Sequence, residues 1–62
     1  MERTWLIQIR KNRGWRQEDV AAEVGLSRSY YCQIENGVKT PHPDKAKALA
    51  SLLGFEWTLF YP

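Results

Sequence analysis

One cysteine and one histidine, Cys32 and His42, stand in 62 residues. A lone thiol excludes an internal disulfide, and with no export signal the reducing cytoplasm is the expected location. One Cys and one His cannot supply the ligands of a zinc site, so no metal and no cofactor is expected. No apolar run approaches the ~20 residues that span a bilayer, and MERTWLIQIRK lacks the charged-then-apolar layout of a signal peptide. Also missing are a Gly-rich phosphate loop, convergent carboxylates and a nucleophile beside a base, so the chain is not expected to be an enzyme. Repeats, linkers and low-complexity stretches are absent too. A chain this short has room for one domain, spanning residues 1–62, and buries only ~60% of the surface its unfolded form exposes. That leaves no evident pocket for a small-molecule effector.

What is present begins with charge. The net value is only +2, but it is unevenly spread. Residues 1–16 carry Arg3, Arg10, Lys11, Arg13 and Arg16 against Glu2, a local balance of +4. Residues 17–40 set Arg28 and Lys39 against Glu18, Asp19, Glu23 and Glu35, a balance of −2. Basic charge gathered at one end suits phosphates, and it equally suits an ordinary solvated face.

Apolar spacing and end signals predict an all-α chain. The first helix covers residues 3–13, with Leu6, Ile9 and Arg13 on one face, Arg10 beside them, and Trp5 and Ile7 off the stripe. Gly14 stops it and Trp15 turns into the core. The second helix runs over 17–24, burying Val20, Ala21 and Val24 and turning Glu18, Asp19 and Glu23 to water. Arg16 falls at its N-cap, where a side chain that accepts hydrogen bonds would be usual. Gly25 and Leu26 make a sharp turn and Ser27 caps the third helix, 28–36. Tyr31 and Ile34 point inward from it, and Arg28, Ser29, Cys32 and Gln33 point outward. A loop leads to His42 as N-cap and Pro43 as first residue of the fourth helix, which ends at Leu53 before Gly54. Ala46, Leu49, Ala50 and Leu53 form its apolar stripe. The aromatic tail is expected to close as a short fifth helical turn, with Trp57 and Phe60 inward.

The stretch Gln17–Gly37, QEDVAAEVGLSRSYYCQIENG, resembles the helix-turn-helix of phage repressors of the Cro and CI type, an XRE-like family of transcriptional regulators. Ala21 matches the small residue where the helices cross, and Gly25 the glycine of the turn. Val20, Val24, Leu26, Tyr31 and Ile34 match the five apolar positions. Gln17, the run Ile34-Glu35-Asn36-Gly37, and Arg10 four residues before Gly14 are also typical. The resemblance implies a lambda-repressor-like bundle of four helices plus a short fifth. It further implies sequence-specific binding to double-stranded DNA with the third helix in the major groove, and repression as the usual outcome.

Arg28, in the first turn of that helix, has a fork that fits both acceptors of a guanine; the alternative is an exposed or phosphate-bound arginine. Ser29 reaches a base or a phosphate, Gln33 suits adenine, and Cys32 is a candidate for contact with a thymine methyl. The resemblance assigns Gln17 to a phosphate at the start of the second helix and places the Tyr30 hydroxyl on another; Tyr30 packed against the loop is the competing reading. Ser27, Asn36, Lys39 and Thr40 flank the third helix as further phosphate candidates, and Arg16 is expected to place its cation beside the same phosphates. The resemblance also implies a buried ion pair, Arg10 with Glu35, that locks the reading helix. Such proteins pair as homodimers on palindromic operators with half-sites ~34 Å apart. Here the loop before the fourth helix and the aromatic tail would form the contact. The rival reading is a protein-interaction module, such as an antitoxin, built on the same fold.

Overall fold

The computed structural model describes residues 1–61. Four helices and a closing 3-10 turn follow one another: α1 (Thr4–Asn12), α2 (Gln17–Glu23), α3 (Arg28–Glu35), α4 (Pro43–Leu53) and the turn Trp57–Phe60. No strand occurs among the described residues. This is the all-α helix-turn-helix architecture, with the fifth element tightened into a single 3-10 turn. Helices α1, α2 and α3 stop one residue short of the ends their spacing suggested, because Arg13, Val24 and Asn36 serve as caps.

Helices of seven to eleven residues are marginal on their own in water, so packing must hold them. Leu6, Val20, Tyr31, Ile34, Ala46, Leu49 and Leu53 show no exposed surface. Burying a leucine or isoleucine side chain contributes about 1.5–3 kcal/mol, against about 1 kcal/mol for a typical cap. Arg13 does not share the inner face of α1. It lies exposed at the C-cap, and the buried stripe is Leu6 and Arg10, four residues apart. An arginine at the end of α1 gains more from water and from the C-terminal dipole than from burial without a partner.

Between α2 and α3 the chain reverses within three residues. Gly25 adopts φ +72°, a left-handed conformation that a side chain would strain. The Leu26 N–H then reaches back to the Ala21 carbonyl at 2.8 Å, and Lys45 from α4 donates to the Val24 carbonyl at 2.7 Å. Ala21 is 1% exposed, so any larger side chain would drive α2 off its neighbours. This turn sets the direction in which α3 leaves the core.

Trp5, placed by spacing off the inner stripe of α1, instead joins an aromatic cluster. Its ring meets Phe55 and Phe60 edge-on, each at 5.2 Å between centroids. Phe60 is buried. Trp57, expected to lie inward with it, does pack against the core but stays half-buried, with Lys47 Nζ 4.9 Å from its ring centroid. The 3-10 turn advances three residues per turn, so Trp57 and Phe60 share a side, but only Phe60 lies deep enough to be covered. Leu59 and Tyr61 remain 48% and 40% exposed.

Candidate nucleic-acid interface

Helix α3 divides its residues between core and solvent. Tyr31, Ile34 and Glu35 are buried, Arg28 and Ser29 are exposed, and Cys32 and Gln33 are half-buried. The Ser27 hydroxyl caps the helix by accepting from the Tyr30 N–H at 3.1 Å. Tyr30 itself leans against the core and stays half-buried. Arg28 keeps a largely free guanidinium; among the described residues it forms one ion pair, a loose one with Glu18, Nε 3.9 Å from Oε1. The Cys32 thiol lies between two side-chain amides, Gln17 Nε2 at 3.9 Å and Asn36 Nδ2 at 3.8 Å. The four outward residues therefore share one face, flanked by the start of α2 on one side and by the loop after α3 on the other.

Beneath that face lies a buried ionic cluster. Arg10 Nε and Nη2 donate to the two carboxylate oxygens of Glu35 at 2.6 and 3.3 Å, and Nη1 donates to the Trp15 carbonyl at 2.9 Å. Arg10 is 8% exposed and Glu35 1%. Gln17 extends the cluster outward, its Nε2 donating to Glu35 Oε1 at 2.9 Å. A carboxylate only accepts, so the amide nitrogen must face it and the Gln17 carbonyl oxygen is turned away. Burial alone would push the Glu35 carboxyl up, but the hydrogen bonds it accepts, led by those from Arg10, hold it below the ordinary carboxylate value. Its bond to Glu35 raises Arg10 in turn. Tyr31 sits against both charges; burial pushes its phenol far above the ordinary value, although its hydroxyl makes no hydrogen bond of good geometry to either.

At the start of α2 the Asp19 carboxylate does the capping that Arg16 cannot. It accepts from the Arg16 backbone N–H at 3.2 Å and from Arg16 Nε at 3.0 Å. The guanidinium thus folds along α2, still in solvent. Its hydrogen bond holds Asp19 below the ordinary value and raises Arg16.

After α3 comes the segment 37–41, and here the structure brings in a residue that sequence reasoning counted only as charge. Arg3 Nη1 donates to the carbonyls of Ile34, at 2.6 Å, and Lys39, at 2.8 Å; Nη2 donates to Thr40 Oγ1 at 2.9 Å. Its backbone N–H donates to the Glu35 carbonyl at 2.7 Å, and its guanidinium lies 5.2 Å from the Phe60 ring centroid. The available signal was indirect: the last turn of α3 holds no basic residue to complement its negative end. Asn36, Lys39 and Thr40 are all exposed.

The chain matches the helix-turn-helix family over residues 6–60. It is also similar to the Uncharacterized HTH-type transcriptional regulator YqaF of Bacillus subtilis (strain 168), with 41% identity over 61 residues, 98% of this chain and 80% of that protein. This chain is a helix-turn-helix protein of the Cro/CI type. No solved structure matches it. The helix-turn-helix unit proper is α2, the Gly25 turn and α3, and the matched span reaches on through α4 to the 3-10 turn. No helix among the described residues is long and apolar enough to cross a membrane, and none of their Cys, His, Asp and Glu side chains gather as a metal cluster.

Proposed function

We propose that this helix-turn-helix protein is a DNA-binding transcriptional regulator that represses by laying α3 in the major groove of a duplex operator. The observation that carries the reading is the outer face of α3, where Arg28, Ser29, Cys32 and Gln33 stand together above a rigid ionic base. Arg28 reads guanine through its fork, Gln33 pairs with adenine, Ser29 donates to a base or the adjoining phosphate, and Cys32 packs on a thymine methyl. Ser27, Tyr30, Asn36, Lys39 and Thr40 hold the backbone on both sides, with Arg16 and Gln17 at the start of α2. Glu35 holds one Gln17 Nε2 hydrogen, so Gln17 meets phosphate with the other Nε2 hydrogen and with its backbone N–H at the start of α2.

Two copies bind a palindromic operator in the cytoplasm, related by a twofold axis near the tail. The exposed Leu59 and Tyr61, with Val38 at 68% exposure in the loop before α4, support that contact surface. Residues 1–62 act as a single DNA-binding domain.

Selection from a pool of random duplexes tests the reading. It should enrich a palindromic site containing guanine within each half. Affinity for that site should fall steeply with salt, as release of condensed counterions requires. A pool without an enriched motif at modest salt refutes the proposal. Salt-independent capture of a protein partner would favour the interaction-module reading instead.

A further inference from the structure

An α-helix leaves its last four carbonyls without intrahelical partners. In α3 these belong to Cys32, Gln33, Ile34 and Glu35. The Asn36 N–H serves Cys32, and the Val38 and Lys39 N–H groups serve Gln33. Gly37 reaches the Ile34 carbonyl at 3.2 Å, but a much shorter bond of 2.6 Å comes from the Arg3 guanidinium, and the Glu35 carbonyl is met by the Arg3 backbone N–H. One residue from the opposite end of the chain therefore closes the C-terminal end of the recognition helix. It also places a cation there, where α3 has none of its own.

The same guanidinium continues into the following loop. Past Lys39 the loop has no backbone hydrogen bonds of its own among the described residues until α4 begins, and the Arg3 bonds to the Lys39 carbonyl and Thr40 Oγ1 stand in for them. Because Thr40 Oγ1 accepts from Arg3, its own hydroxyl hydrogen is left to donate outward. The tail ties the other side of the loop: the Tyr61 hydroxyl donates to the Pro41 carbonyl, and Phe60 lies under the Arg3 guanidinium. The N-terminus also packs closely here, since a Cβ on Gly37 would overlap the Met1 carbonyl oxygen.

We propose that Arg3 is a positioning residue for DNA binding, which presets the loop after the recognition helix so that Lys39 and Thr40 meet phosphates as fixed donors. This inference rests on the DNA reading above. Arg3 itself spends three of its hydrogen bonds inside the protein, so it acts through the loop and not by neutralising a phosphate. A lysine in its place keeps the charge and loses the planar fork that reaches three acceptors at once.

The test uses the full chain and the duplex enriched from the random pool, at a temperature where circular dichroism shows every variant folded. Arg3→Lys should weaken binding by about tenfold, as expected when several side chains must be ordered on binding. The slope of log affinity against log salt should stay at the wild-type value. Lys39→Ala should flatten that slope by about one. Amide exchange at Val38 and Lys39, whose N–H groups bond the Gln33 carbonyl, should speed up in Arg3→Lys without DNA, while exchange in α4 stays unchanged. Combining Arg3→Lys with Thr40→Val should cost less than the two single losses together, because both release the same loop. Wild-type affinity in folded Arg3→Lys overturns the positioning role alone. A flattened slope in that variant overturns it in favour of direct phosphate contact by Arg3. Failure of the wild-type chain to bind any duplex overturns the DNA reading itself, and the positioning role with it.

Discussion

Glu35 holds more of this protein together than its size suggests. It is 1% exposed, takes two bonds from Arg10 and a third from Gln17, and belongs to the helix that carries the outward face. Glu35→Ala would leave the Arg10 cation buried with no carboxylate, and breaking such a pair from one side costs about 3–5 kcal/mol. In a domain of this size each kcal/mol moves the melting temperature by about 4–8 °C, so thermal unfolding should shift by tens of degrees. An unchanged midpoint would show that the pair contributes nothing net. The pH dependence follows from the same contact. The folded carboxyl titrates below its ordinary 4.5. The stabilisation it brings is therefore whole above that pH and drains away as pH falls through the lower folded value. Urea midpoints should hold level from neutral pH down to about 4.5 and drop below it, and Glu35→Gln should shrink that drop, leaving the smaller share of the exposed Asp19.

On the scale of elements, α2 shows how a cap can be built from the wrong end. Arg16 offers no acceptor, so Asp19 reaches back and takes the Arg16 N–H instead. A serine at position 16 would complete the reciprocal arrangement, since its hydroxyl can accept from the first-turn N–H groups while Asp19 keeps its half. The Arg16–Asp19 pair that would be lost is exposed to water and worth little. Arg16→Ser should therefore raise the melting temperature by a few degrees. If Arg16 faces phosphate, the same variant binds the selected duplex more weakly and its salt slope shrinks by about one. Equal or tighter binding would remove Arg16 from the interface. The order of the helices, and their bounds to within a residue, were readable in the chain because Gly14, Gly25, Gly37 and Gly54 follow helix ends and Ser27 and Pro43 mark helix starts. Which residues bond across elements was not readable in that way. Arg3 and Gln17 are long side chains, and their partners lie on elements whose spacing in the sequence carries no sign of them.

For the whole molecule the open surface is the tail. Leu59 and Tyr61 keep much of their area in water, yet Phe60 between them is buried and Tyr61 is tied to Pro41. Because Leu59 contributes little to its own core, Leu59→Asp should leave the melting temperature of the monomer within a degree or two. In the proposed dimer it would place a carboxylate on the twofold contact. Sedimentation with the selected duplex should then give one protein chain per operator at concentrations where the wild type gives two. Two chains per operator with the variant would move the contact elsewhere. The ring of links from Tyr61 through Pro41 to Arg3 and α3 means that whatever covers the tail also touches the support of the loop.

The sequence by itself determined the helix-turn-helix register, because apolar period, a small residue at the crossing and glycine at the turn are local demands that a chain must meet residue by residue. It also determined that Arg28, Ser29, Cys32 and Gln33 share one face, since 3.6 residues per turn leave no other placement. Only the tertiary structure decided how that face is supported. Hydrogen bonds between distant side chains depend on where whole helices come to rest. The packing of the core therefore chose Arg3 to close α3 and turned the Gln17 amide towards Glu35.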